Sequence, residues 1–137
     1  MVNITKVVPF SLPRASDVIT ALTDLAKEHN ISCAFVHCIG AIEPARLAYY
    51  DLKTRSYQPI EISERVELLS CSGNISIRDS APWPHLHAVV SNPNGQTFGG
   101  HLLNGSLAFL VEGFIFAMDA TIHRIPDPST GLTVWKL

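Results

Sequence analysis

Apolar side chains recur at Val18, Ile19, Leu22, Leu25 and Ala26, the three-and-four spacing that places them on one face of a helix. Ser16 is the expected N-cap, with Asp17 in the first turn, and Asn30, which tolerates the left-handed cap conformation, marks the predicted end. The rest of the chain reads as strands. Residues 3–12 are a mixed apolar stretch. Residues 31–39 are a nearly continuous apolar run, short enough for a strand buried on both faces and stopped by Gly40. Residues 45–52, 57–62, 65–77 and 106–118 follow, separated by turn residues such as Thr54-Arg55-Ser56, Ala81-Pro82 and Asn104-Gly105. Gly73-Asn74 is a turn pair that falls inside a long run, where it reads as a turn or a bulge. Two prolines keep residues 125–131 out of regular pairing, leaving residues 132–137 as an edge strand. The pattern predicts an α+β fold, an antiparallel β-sheet with one main amphipathic helix packed on it, as a single domain over residues 1–137.

The chemistry lies in a hairpin between the strands at 65–77 and 106–118. Pro84-His85-Leu86-His87 puts two imidazoles on one face, because alternate residues of a strand point the same way. Asn92-Pro93-Asn94-Gly95 is a turn cluster, and Gly99-Gly100-His101-Leu102 follows it. A loop of Pro93-Asn94-Gly95 suits a type I turn closed by a left-handed residue, since Pro presets the first φ and Gly accepts the positive one. Asn92 and Gln96 then pair, and counting outward sets His87 directly opposite His101 with His85 two positions along. A loop longer or shorter by one residue turns His101 to the other face. Three converging imidazoles suit zinc and leave a fourth position open.

The other candidates are weaker. His29, at a helix end, and His123, beside Arg124, read as solvated; His37, Cys33 and Cys38 read as packed residues of a strand. Glu67 and Glu112 stand among apolar neighbours. Each faces solvent, pairs with a cation, or serves the site as a catalytic carboxylate, orienting a ligand imidazole or accepting a proton from water. Trp83, between two prolines ahead of the histidines, reads as a packed rim residue.

Composition narrows the function classes. At 137 residues and 47% hydrophobic content the chain suffices for one well-packed domain. No apolar run is long enough to cross a membrane, and the first residues lack the pattern of a signal peptide. Cys33, Cys38 and Cys71 are odd in number and form no C-x-x-C pair, which suits reduced thiols and a cytoplasmic location. A net charge of −2 with dispersed Lys and Arg gives no basic stripe for DNA. The low charged fraction, 16%, points to apolar surface buried between subunits.

Residues 67–76, Pro84-His85-Leu86-His87, Asn94-Gly95 and Gly99-Gly100-His101-Leu102, supported by Ile39-Gly40-Ala41 and Tyr49-Tyr50-Asp51, together resemble the PPC domain of plants and prokaryotes. The resemblance implies the same α+β fold, a homotrimer, and zinc at His85, His87 and His101. Plant members bind DNA through an AT-hook ahead of this domain, and single-domain prokaryotic members are often labelled as candidate DNA-binding proteins. This sequence has no Arg-Gly-Arg-Pro motif, and Phe10 to Asp17 replaces the family's Arg and Gly-Glu before the helix. The expectation is a trimeric zinc protein, with hydrolysis or hydration of a small molecule as one reading. The other is a DNA-associated assembly protein with a structural metal.

Overall fold

The computed structural model describes residues 1–137. In chain order the elements are β1 (Ile4–Ser11), α1 (Val18–Glu28), β2 (Ala34–Ile42), β3 (Ala45–Asp51), β4 (Ser56–Ile62), β5 (Val66–Arg78), β6 (Ala81–Ser91), β7 (Thr97–Leu102), β8 (Ala108–Met118), β9 (His123–Pro126) and β10 (Thr133–Lys136). The main sheet runs β1-β8-β2-β5-β6-β7-β3-β4, with every neighbouring pair antiparallel. The expected α+β architecture with one helix is what the chain forms.

Alternation divides this sheet into two chemically different faces. Val36, Cys38, Cys71, Ile75, Leu86, Ala88, Val90, Val111 and Ile115 point inward and share one buried cluster with Val18, Leu22 and Ala26 of α1. Burying a Leu or Ile side chain stabilises by roughly 1.5–3 kcal/mol, so this face holds the helix on the sheet. All three cysteines are buried free thiols, and burial raises Cys33 while the Cys38 hydrogen bond and burial raise Cys71. The opposite face carries Phe35, His37 and Ile39 on β2, Leu110, Glu112, Phe114 and Phe116 on β8, and His85, His87 and Val89 on β6.

Several boundaries moved. Asp17, not Ser16, caps α1, its carboxylate accepting from the Thr20 N–H at 2.8 Å, because the Ser16 hydroxyl donates to the Pro13 carbonyl instead. Asn30 is left-handed at φ 54°, as its position after the helix suggested. The strand expected at residues 31–39 starts at Ala34 and passes through Gly40, where a register shift against β5 absorbs the glycine. Gly73-Asn74 is regularly paired; the irregularity of β5 lies between Leu68 and Ser70. The turn into β6 is made by Asp79 and Ser80, both at positive φ, rather than Ala81-Pro82. Ile125 and Pro126 are not loop residues but end β9, which pairs with β10 as a small hairpin; Pro126 tolerates this at the strand's last position.

Candidate metal centre

The β6–β7 hairpin builds the centre as its loop chemistry requires. Asn92 N–H donates to the Gln96 carbonyl at 3.0 Å, Gly95 N–H donates to the Asn92 carbonyl at 2.9 Å, and Gly95 sits at φ 77°. The Asn92 side chain fastens the turn by accepting from the Asn94 and Gln96 N–H groups, both at 3.0 Å. The register that follows pairs His87 with His101. Gly100 has a second role. A Cβ there would come within 2.6 Å of the Ala48 carbonyl oxygen, so only glycine lets β3 lie this close to β7 beside His101.

The three rings converge. Centroids are 5.3 Å apart for His85 and His87, 5.2 Å for His85 and His101, and 5.5 Å for His87 and His101. One nitrogen from each lies within 4.8 Å of the others, a spacing that an ion between them can gather. His101 is held by Tyr57, whose ring stacks on it at 4.7 Å, and its Nδ1 is buried without a hydrogen-bond partner. A buried ring nitrogen with no partner is costly in a folded protein, and a cation is one way to satisfy it. The donor set and this orphaned nitrogen both fit a metal ion.

Electrostatics favours the same state. Burial, then the Arg124 guanidinium and the other two imidazoles, lowers the His85 pKa to about 4. Burial, then His87 and Arg124, lowers His101 to about 4. Both rings are therefore neutral near pH 7, the form that binds metal. A consequence is measurable without metal. Between the ordinary histidine value near 6.5 and about 4, the unfolded chain takes up protons that the native site refuses, so stability is present above that window and is lost as pH falls through it. The melting temperature of chelator-treated protein is expected to fall by several degrees from pH 7 to pH 5, and His101→Gln is expected to flatten that slope. A melting temperature independent of pH across this range would contradict the assignment.

Glu67 and Glu112 are not brought to the histidines. Both are exposed. Glu67 pairs with Ser91 on β6, whereas His87 pairs with Ser72, and Glu112 lies on β8 opposite Ser11 and Ile39. Neither lines the cavity over the imidazoles. His123 is exposed and His37 half-buried, its Nδ1 2.7 Å from the Ser72 hydroxyl. Trp83 reaches the cavity and has the Arg124 guanidinium over its ring at 4.6 Å. Arg124 itself is the residue that sequence reasoning missed. It enters from β9, donating from Nε to Ser76 Oγ at 2.8 Å and from its terminal nitrogens to Asn74 Oδ1 and the Thr133 carbonyl, each at 3.0 Å. Its guanidinium also lies 3.2 Å from His85 Nδ1.

With this arrangement in view, the chain was compared with known proteins. Residues 1–119 match the model of the Plants and Prokaryotes Conserved (PCC) domain. The chain belongs to that family. Among solved PCC-like structures, the metal-containing protein AF0104 of Archaeoglobus fulgidus is 30% identical, with a TM-score of 0.94 over 100% of this chain and 97% of that one. A plant- and prokaryote-conserved protein of Pyrococcus horikoshii is 28% identical, with a TM-score of 0.94 over 100% of this chain and 95% of its own. A candidate DNA-binding protein of Bacteroides thetaiotaomicron is 26% identical, with a TM-score of 0.90 over 98% of this chain and 94% of its own. The bifunctional protein GlmU of Synechococcus sp. (strain JA-3-3Ab) is 31% identical over 129 residues, 92% of this chain and 20% of that protein. This PCC chain thus spans about a fifth of the curated relatives it matches.

Proposed function

We propose that this PCC-domain protein is a homotrimeric zinc protein whose three-histidine centre supports hydrolysis or hydration of a small molecule. The observation that carries the reading is the convergence of His85, His87 and His101 in the lining of a cavity of roughly 970 Å³. Likeness to a metal-containing protein with the same fold adds to it. An all-imidazole donor set suits zinc, which with three such ligands keeps an open position and lowers the pKa of water there to about 7. The chain's own residues supply the setting. His85 and His101 stay neutral as donors, Tyr57 stacks against His101, and Arg124 and Trp83 wall the approach.

The test begins with elemental analysis of protein purified without added metal, where about one zinc per chain is expected. Ester hydrolysis and carbonyl hydration are then screened before and after chelation. A metal-free wild type whose stability does not respond to chelator or zinc would sink the reading. In the second reading the protein is DNA-associated and its metal is structural, supported by likeness to a candidate DNA-binding protein. Its signature is duplex binding that weakens steeply between two salt concentrations, with metal removal dissociating the assembly. A net charge of −2 and the dispersal of basic residues weigh against it.

A further inference from the structure

The cavity over the histidines has an unbalanced charge. Arg55, Arg78 and Arg124 line it together with the three imidazoles, and no Asp or Glu does. Arg78 is partly matched outside by Asp79 at 3.5 Å, but no carboxylate lies within ion-pair distance of Arg124. Three directed hydrogen bonds hold the Arg124 guanidinium, to Ser76, Asn74 and Thr133, every acceptor is neutral, and a terminal nitrogen lies 3.2 Å from His85 Nδ1. Of its five N–H donors, one is therefore free outright and a second, the one nearest His85, is free when that ring ligates a metal. A half-buried charge fixed this firmly without a counter-charge is unfavourable by itself.

The contact with His85 sharpens the point. A metal-ligating imidazole ordinarily gives its second N–H to a carboxylate or a carbonyl. Guanidinium can only donate, and a neutral His85 can accept at Nδ1 only with its proton on Nε2, so His85 holding a metal gives up this hydrogen bond and leaves that guanidinium donor free. A divalent ion would raise the positive charge further, so the missing partner is an anion. The walls describe the rest of the guest. Trp83, Tyr57 and Trp135 line the cavity alongside the arginines, and the volume is that of a small-molecule site.

We propose that this cavity binds a small organic oxyanion, a carboxylate or phosphate carried on a flat apolar body, and that Arg124 of the β9–β10 hairpin selects for it. The inference deepens the metal reading above and rests on it for the second positive partner, while Arg124 recognises the anion whether or not zinc is loaded. The selecting residue lies beyond residues 1–119, the part that matches the family model.

Both tryptophans of the chain, Trp83 and Trp135, line the cavity, so intrinsic fluorescence reports its occupancy directly. Benzoate, phenyl phosphate, benzyl alcohol and benzylamine are titrated by fluorescence and calorimetry into zinc-loaded and chelator-treated protein. At least one of the two anions is expected to bind at least about tenfold more tightly than the alcohol or the amine, and the tighter anion names the oxyanion. Arg124→Gln is expected to weaken that anion by about tenfold or more, and Arg78→Gln, at the rim, by a few-fold. Equal binding of anionic and neutral probes, binding of neither anion, or an Arg124→Gln protein with unchanged affinity would overturn the proposal. If Arg124→Gln does not fold, Arg124→Lys, which keeps the charge and loses the fork, is expected to bind the anion several-fold more weakly, and unchanged affinity there overturns it equally. Anion binding that depends on Arg124 in a protein that retains no zinc defeats the metal reading alone. Zinc retained without anion preference defeats only this inference.

Discussion

Replacing His87 by alanine is expected to reduce zinc from about one per chain to less than a tenth, while leaving the metal-free fold within roughly 0.5 kcal/mol of the parent. His87 is the exposed member of the three, so its loss opens no cavity in the core. Two imidazoles remain, and two are too few to hold zinc against chelator. In the parent, zinc at about a thousandfold over its Kd stabilises the native state by about 4 kcal/mol, because it binds the folded chain alone. For a domain of this size that is a rise in melting temperature of roughly 10–15 °C. The variant is expected to show none of it. The substitution also removes one of the charges that lower the His101 pKa, which is expected to rise above about 4 and can be followed by NMR. A variant that keeps both zinc and the thermal shift would place the metal elsewhere.

Phe114→Asp is expected to convert the proposed homotrimer into single chains, as read by light scattering. The reason lies on the face of the sheet opposite α1. Phe35, Ile39, Leu110 and Phe114 are each 43% to 54% exposed in the isolated chain. They lie on the paired strands β2 and β8, with Phe35 and Phe114 each against Phe116 at 5.8 and 6.1 Å between ring centroids. An exposed apolar cluster of this kind, interrupted at His37 and Glu112, is ordinarily covered by another subunit. A charge at its centre, opposite His37 and Pro9, would have to be buried without a partner. Because Phe114 points away from the helix-covered core, the single chains are expected to remain folded by circular dichroism. A parent protein that already scatters as one chain at micromolar concentration would remove the trimer from the account.

The histidine centre was legible because its determinants are local. His85 and His87 share a face by strand alternation alone, and the Pro93-Asn94-Gly95 turn sets the register that brings His101 across. The helix was legible for the same reason, its period being written in consecutive residues. Its cap was misplaced by one residue because Ser16 and Asp17 both have capping side chains. What decides between them is the hydrogen bond from Ser16 to Pro13, a loop contact with no periodic signal. Gly40 failed as a strand terminator because β8 and β5 continue on either side and hold the strand through the irregularity.

Residues that act at a distance in sequence were not legible. Arg124 read only as the neighbour of a solvated His123, yet β9 touches β5 at His123 and Ile77 and swings the guanidinium in beside His85, 39 residues away. Glu67 and Glu112 sit in apolar contexts that suit a buried functional carboxylate as well as an exposed one, and only the sheet order separates them from the histidines.

By itself, then, the amino-acid sequence determined the fold class, the helix, the hairpin and the three imidazoles it gathers. Each follows from alternation, turn chemistry or helical period, which act between near neighbours. Only the tertiary structure decided that the cavity above them is walled by the C-terminal hairpin, that its charge is positive, and that an apolar patch of β2 and β8 on the face opposite α1 is uncovered. Those properties arise from strands far apart in sequence lying side by side, and no local pattern records which strands will do so.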